Sequence, residues 1–154
     1  MITINNRQRK IQVDVKKLSS DAYKALELLR YKDFDLGILI TTDVTIRKYN
    51  ATYRGKDKPT DILSFPFHPE LQAGKRIKVM SDDDKNLGDI IISAEYVAKQ
   101  IEGTGVTCDE RMQVLLVHGI FHLLGYDHLT DAQYKQMHRR ELWLLKKLAT
   151  GAVT

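Results

Sequence analysis

The chain has 154 residues, 43% hydrophobic and 29% charged, with 24 Lys+Arg against 20 Asp+Glu and a formal net charge of +4. One domain of this size buries about two-thirds of its unfolded surface without disulfides, and the single cysteine, Cys108, can form no internal bridge, which suits a reducing cytosol. Composition excludes membrane-spanning, collagen-like, disordered and disulfide-scaffold classes, residues 1–10 lack the apolar core of a secretory signal, and the positive excess permits a polyanionic partner without establishing one.

In chain order, Ile2–Ile4 and Lys10–Val13 read as short strands. Val15 to Tyr31 reads as a helix whose Leu18, Ala22, Ala25, Leu26 and Leu29 share one apolar face. Leu36–Thr42 is a run of branched residues, predicted to be a buried strand. A short helix is expected from Asp43 to about Tyr53, then a strand from Asp61 to Phe67 that Pro66 confines to an edge or terminates. His68 to Lys85 is polar and irregular, and its Asp82-Asp83-Asp84 run reads as a solvated turn before a cation site.

Gly88–Ser93 is predicted to be a strand, with Ser93 capping a helix to about Glu102 that Gly103 and Gly105 end. Thr107 and Glu110 make a capping box for the next helix, which runs to Leu124 with Gly125 just beyond. Thr130 and Gln133 make a second box, opening a last helix to about Ala149. On that helix His138 shares a stripe with Tyr134, Leu142, Leu145 and Ala149, read as a packed or boundary face. The expected fold class is α+β: a single domain with a mixed sheet of about four strands packed with about five helices.

The chemistry is concentrated in HGIFHLLGYDH, residues 118–128. His118 and His122 stand one helical turn apart on one face. Gly125 can reverse the chain so that His128 returns towards them. Chance would place this pattern in such a composition with a probability of roughly 3 × 10⁻⁴. Three neutral imidazoles with a fourth position open is the donor set of a catalytic zinc site. The helix around them is apolar almost all round, and buried imidazoles without partners are costly. Cys108 lies about 15 Å along the helix from His118, too far to be a ligand, while His68 sits in a loop from which it could approach a cleft.

The spacing is that of the extended zinc-peptidase motif, but Gly119 stands where the peptidase has its glutamate base. Without that carboxylate the peptidase reading weakens, although zinc can still activate water and polarise an oxyanion. Hydrolysis of another substrate class is then expected.

HGIFHLLGYDH, together with YRGKDKPTDILSFPF (Tyr53–Phe67) and LGDIIIS (Leu87–Ser93), resembles the YbeY family of bacterial rRNA maturation factors. The three blocks stand in the family's order, and the Tyr53–Phe67 block separates the match from peptidases. The resemblance implies one domain over residues 1–154, a zinc-dependent, single-strand-specific endoribonuclease with a metzincin-like zinc-binding core. It implies a cytoplasmic role in small-subunit rRNA 3′-end maturation and ribosome quality control. The implied partners are single-stranded rRNA and the small ribosomal subunit, with no membrane and no DNA. His118, His122 and His128 would hold one zinc or another divalent transition metal, with His118 and Arg54 carrying the chemistry.

A guanidinium suits that role because it can hold two phosphate oxygens at once; alternatively, Arg54 pairs with Asp57 or Asp61. Lys56 and Lys58 would hold the strand, with bases stacking on Tyr53 or Tyr126. Thr60 and Asp61 would orient the loop, Asp61 as a partner of a ligand histidine, and Asp127 is either the missing base or a turn cap. Two rivals stand beside this: a zinc peptidase with another base, and a non-catalytic ribosome-assembly factor with a structural metal.

Overall fold

The branched run after Asp35 is the strand around which the sheet assembles. A computed structural model describes residues 1–150. Its elements are β1 (Ile2–Asn6), α1 (Val15–Leu28), β2 (Asp35–Thr41), α2 (Asp43–Arg54), β3 (Ile62–Pro66), β4 (Asn86–Ser93), α3 (Ala94–Ile101), α4 (Cys108–Leu123) and α5 (Asp131–Thr150). The sheet order is β1-β2-β4-β3. β1, β2 and β4 run parallel, and β3 lies antiparallel on the edge, where Pro66 closes it opposite Gly88. This is the α+β architecture expected, with four strands and five helices.

Period-two alternation divides the sheet's two faces. Leu36, Ile38 and Ile40 of β2 and Ile90 and Ile92 of β4 face the main core with α1, α3, α4 and α5. Leu39, Ile91, Leu63 and Phe65 face the other way, where α2 supplies Ile46 and Tyr49 to a smaller cluster. Helix α4 is almost wholly interior: Leu115, Leu116, Val117, Gly119, Ile120, Phe121 and Leu123 are all buried. That burial fixes which side of α4 can meet solvent.

Three sequence expectations require correction. Lys10–Val13 is not a strand. Arg7 N–H makes the last ladder-like bond to Ile40 O, and the Gln8 side chain then bonds both the N–H and the C=O of Ile11, turning the chain away from the sheet. The first helix ends at Leu28 with Leu29 as its cap, not at Tyr31. Arg30 is left-handed (φ 64°), and Tyr31 N–H returns to Leu26 O at 2.7 Å. The carbonyls of Leu29 and Arg30 are taken by the Arg76 guanidinium, which also lies over the Tyr31 ring.

The third correction concerns α5, whose buried residues are Met137, Leu144 and Leu148. The stripe read as packed or boundary lies mostly in solvent: Tyr134 and Leu142 are each 54% exposed, His138 and Ala149 are exposed with them, and only Leu145 is partly buried against the core. A helix this rich in both apolar and basic residues offers two competing stripes, and only the docking on α4 selects between them.

The segment between β3 and β4 is irregular, as its composition implies. Asp82–Asp84 forms a single 3-10 turn in which the Asp84 carboxylate accepts from Met80 N–H and Ser81 N–H. Lys85 pairs with Asp33 and Asp82. The acidic run is thus a turn consumed by its own hydrogen bonds and neighbouring lysine.

Candidate metal centre

Thr107 caps α4 by accepting from Glu110 N–H, and the helix delivers His118 and His122 one turn apart. Gly125 follows with φ 91°, and a side chain there would run into the Leu71 carbonyl. Glycine is therefore required twice, by the left-handed turn and by the close passage of the 68–80 segment. The turn brings His128 to ring-centroid distances of 5.5 Å from His118 and 5.0 Å from His122. One ligand nitrogen from each of the three rings lies within 4.8 Å of the others, a group that can hold a metal ion. His118 and His122 are half-buried and His128 is exposed, so the centre opens on the His128 side.

Hydrogen bonding fixes the tautomers. His122 Nδ1 is 2.9 Å from the Tyr126 carbonyl, which can only accept, so Nδ1 carries the proton. His118 Nδ1 is 2.9 Å from Oε2 of Glu141, a carboxylate 15% exposed, and donates likewise. Both Nε2 atoms are then bare, and they face each other at 3.0 Å. Two lone pairs aimed at one point repel unless an electrophile lies between them. Two Zn–N bonds in a tetrahedral site bring their nitrogens to about 3.3 Å, so the donor set fits a transition metal. Burial, then the neighbouring His118 and His128 rings, hold the His122 pKa below its ordinary value, outweighing the Tyr126 carbonyl and Asp127. A neutral ring is the state a metal ligand needs.

Glu141 is the residue that sequence reasoning missed; Asp61 had been expected in its role. Asp61 instead accepts from Arg111 at 3.2 Å and from Gln100 at 3.1 Å, and bonds Ile62 N–H and Thr60. It ties the start of β3 to Gln100 and Arg111, and the Nδ1 atoms of His118 and His122 are bonded to Glu141 and Tyr126 instead. Glu141 lies 23 residues beyond His118 on a different helix. The available signal was that α5 carries only one acid past its first turn.

Arg54 is the last residue of α2, exposed, and followed by left-handed Gly55. Among the described residues it makes no ion pair: Asp57 is held by Arg47 at 2.8 Å and Asp61 by Arg111. Lys56 and Lys58 are exposed in the following loop. Tyr53 packs on Tyr49 and Phe65 on the opposite sheet face, while Tyr126 packs edge-on against Phe121. The Asp127 carboxylate accepts from His128 N–H at 2.8 Å, capping the turn. His68 does not join the centre, since its Nε2 meets the Asp84 carbonyl at 2.8 Å. Cys108 is a half-buried free thiol.

Gly119 is buried against the sheet, where a Cβ would come within 2.8 Å of Ile90 Cδ1 and 3.0 Å of Ile62 Cδ1. A glutamate there would point into hydrocarbon. The peptidase base is therefore closed off by packing as well as absent. A broad groove of about 1180 Å³ lies on the other sheet face, lined by Thr3, Gly37, Leu39, Tyr53, Phe65 and Asp89 among others; none of the three histidines lines it.

An α+β frame here presents three converging imidazoles that can hold a metal ion and leave one side open. The family model for Endoribonuclease YbeY matches residues 3–149. The chain belongs to that family of hydrolytic endoribonucleases. It is 37% identical to Endoribonuclease YbeY of Homo sapiens over 147 residues, covering 96% of this chain and 87% of that one. With the Aquifex aeolicus protein of the same description it shares 38% over 149 residues, covering 96% and 91%. The solution structure of TM1509 from Thermotoga maritima shares the fold, with a TM-score of 0.58 at 20% identity over 99% of this chain and 95% of that one. No helix among the described residues is long and apolar enough to cross a membrane.

Proposed function

We propose that residues 1–154 form one zinc-dependent endoribonuclease domain that cuts single-stranded RNA in the cytoplasm, acting in small-subunit rRNA 3′-end maturation and ribosome quality control. The observation that carries this is the pair of bare Nε2 atoms 3.0 Å apart with a third imidazole beside them, in a chain of the Endoribonuclease YbeY family. His118, His122 and His128 hold one metal ion per chain. When bound, zinc supplies Lewis-acid activation of water and of the scissile phosphate.

The chain's own residues do the rest. Arg54, whose neighbouring carboxylates are spent on Arg47 and Arg111, neutralises charge building on the phosphate oxygens. Lys56 and Lys58 hold the strand through its phosphates. The metal-ligand loop is kept open to a polymer by the exposure of His128. The reading calls for rRNA in the small ribosomal subunit as partner and for neither DNA nor membrane.

End-mapped cleavage of rRNA by the metal-loaded protein, before and after chelation, tests this, with Arg54→Ala beside it. Cleavage is expected to vanish on chelation and to fall by about 100-fold or more in Arg54→Ala. Metal analysis should return about one zinc per chain, lost in histidine-to-alanine variants. Cleavage of unfolded polypeptide without cleavage of RNA would overturn the proposal. So would Arg54→Ala and His118→Ala variants that both restore rRNA processing in cells lacking the protein.

A further inference from the structure

Helix α5 is one of the basic stretches of this chain. It carries five Lys and Arg against two carboxylates, a surplus of three. One of those carboxylates, Glu141, is turned inward and bonded to His118. Lys135, Arg139, Lys146 and Lys147 are exposed, and among the described residues none is in an ion pair. The cations are therefore unspent.

Helical geometry orders the side chains around α5. Met137, Leu144 and Leu148 point to the core. Next comes Glu141, reaching a metal ligand, with Tyr134 seven residues before it and so almost in line, about 10 Å along the axis. His138 and Leu142 follow further round, and then Lys135, Arg139 and Lys146 form a continuous cationic stripe. The Tyr134 and His138 rings are parallel within 11° at 5.4 Å, and Tyr134 is 54% exposed. An aromatic step thus lies between the metal centre and a row of free cations, on a helix that begins three residues after His128.

We propose that the outer face of α5 is a binding track for the single-stranded RNA leading to the metal centre. Bases stack on the Tyr134–His138 pair and phosphates lie along Lys135, Arg139 and Lys146. Aromatic faces beside a basic stripe are what a sequence-tolerant single-strand site requires, because every base has a flat face and every nucleotide a charge. Tyr134, His138 and Leu142 are all exposed and so accessible to a partner. Charge complementarity and continuity with the histidine cluster point to a nucleic acid strand as the partner. This rests on the endoribonuclease reading above and adds where its substrate lies.

The test uses fluorescence anisotropy of a labelled single-stranded RNA of about 20 nucleotides on the full chain across a salt series. One variant combines Lys135→Glu, Arg139→Glu and Lys146→Glu; a second combines Tyr134→Ala and His138→Ala. The charge variant should bind at least tenfold more weakly, its salt slope reduced by about two. The aromatic variant should bind roughly tenfold more weakly with its salt slope unchanged. Both should keep wild-type metal affinity and melting temperature. RNA affinity equal to wild type in both folded variants would overturn the track. So would unchanged RNA binding alongside loss of self-association or of a protein contact, which would make the face a protein surface. Wild-type protein that binds through α5 yet cuts no RNA would sink the nuclease reading and leave the track standing. Wild-type protein that cuts RNA while both variants bind normally would do the reverse.

Discussion

At the scale of single residues, the decisive contact is Glu141 to His118. A carboxylate accepting from Nδ1 sets the tautomer, fixes the ring plane and makes Nε2 a better donor. Glu141→Ala should weaken metal binding by about 10- to 100-fold in a chelator competition, whereas Glu141→Gln, which keeps an acceptor oxygen, should lose less. Equal losses in the two variants would mean that charge, not orientation, is what the contact supplies. Gly119 makes the complementary point about what the site omits. Gly119→Glu, which restores the peptidase signature, should not yield a peptidase. It should destabilise the fold by about 3 kcal/mol or more, measured by urea denaturation, because an unpaired carboxylate is driven against Ile90 and Ile62.

At the scale of elements, the site is the product of two helices and a turn. α4 brings two of the imidazoles, the Gly125 turn brings the third, and α5 returns to orient the first. The starts of both helices were legible because capping is local: Thr107 accepts from Glu110 N–H, and Thr130 and Gln133 bond each other reciprocally. Thr107→Ala should cost about 1 kcal/mol in equilibrium unfolding. Metal affinity should stay unchanged, since the cap lies three turns from His118. Lys10–Val13 was misread for the opposite reason. Its alternation is strand-like, and Ile11 and Val13 do pack against the core, but Gln8 captures the backbone before it can join the ladder.

At the scale of the whole molecule, the sheet separates two environments, with the metal centre on the helical side and a broad groove on the other. Burial of the imidazole cluster also links folding to pH. The folded His122 pKa lies below the unfolded value of about 6.5. The unfolded chain therefore binds more protons as pH falls past 6.5, and the metal-free fold loses stability between there and the lowered folded value. Urea midpoints of metal-free protein should drop between pH 7.5 and pH 5.5, and His122→Gln should flatten that dependence. A midpoint rising towards acid would contradict the burial argument.

The sequence by itself determined the histidine spacing, the missing glutamate at Gly119, the helix caps and the edge position of the Pro66 strand. Each is encoded within a few residues, where periodicity and hydrogen-bond reach act directly. Tertiary structure alone decided that Glu141, not Asp61, orients His118, and that Arg54 is left without either nearby carboxylate. It also decided that Tyr134 and His138 face outward while Met137 and Leu144 face in. These depend on which helix faces dock, a choice made by the summed burial of distant side chains and invisible to any local window. The cations of α5 illustrate the difference: the sequence supplies their number, and the docking of the helix leaves Lys135, Arg139 and Lys146 on its exposed face.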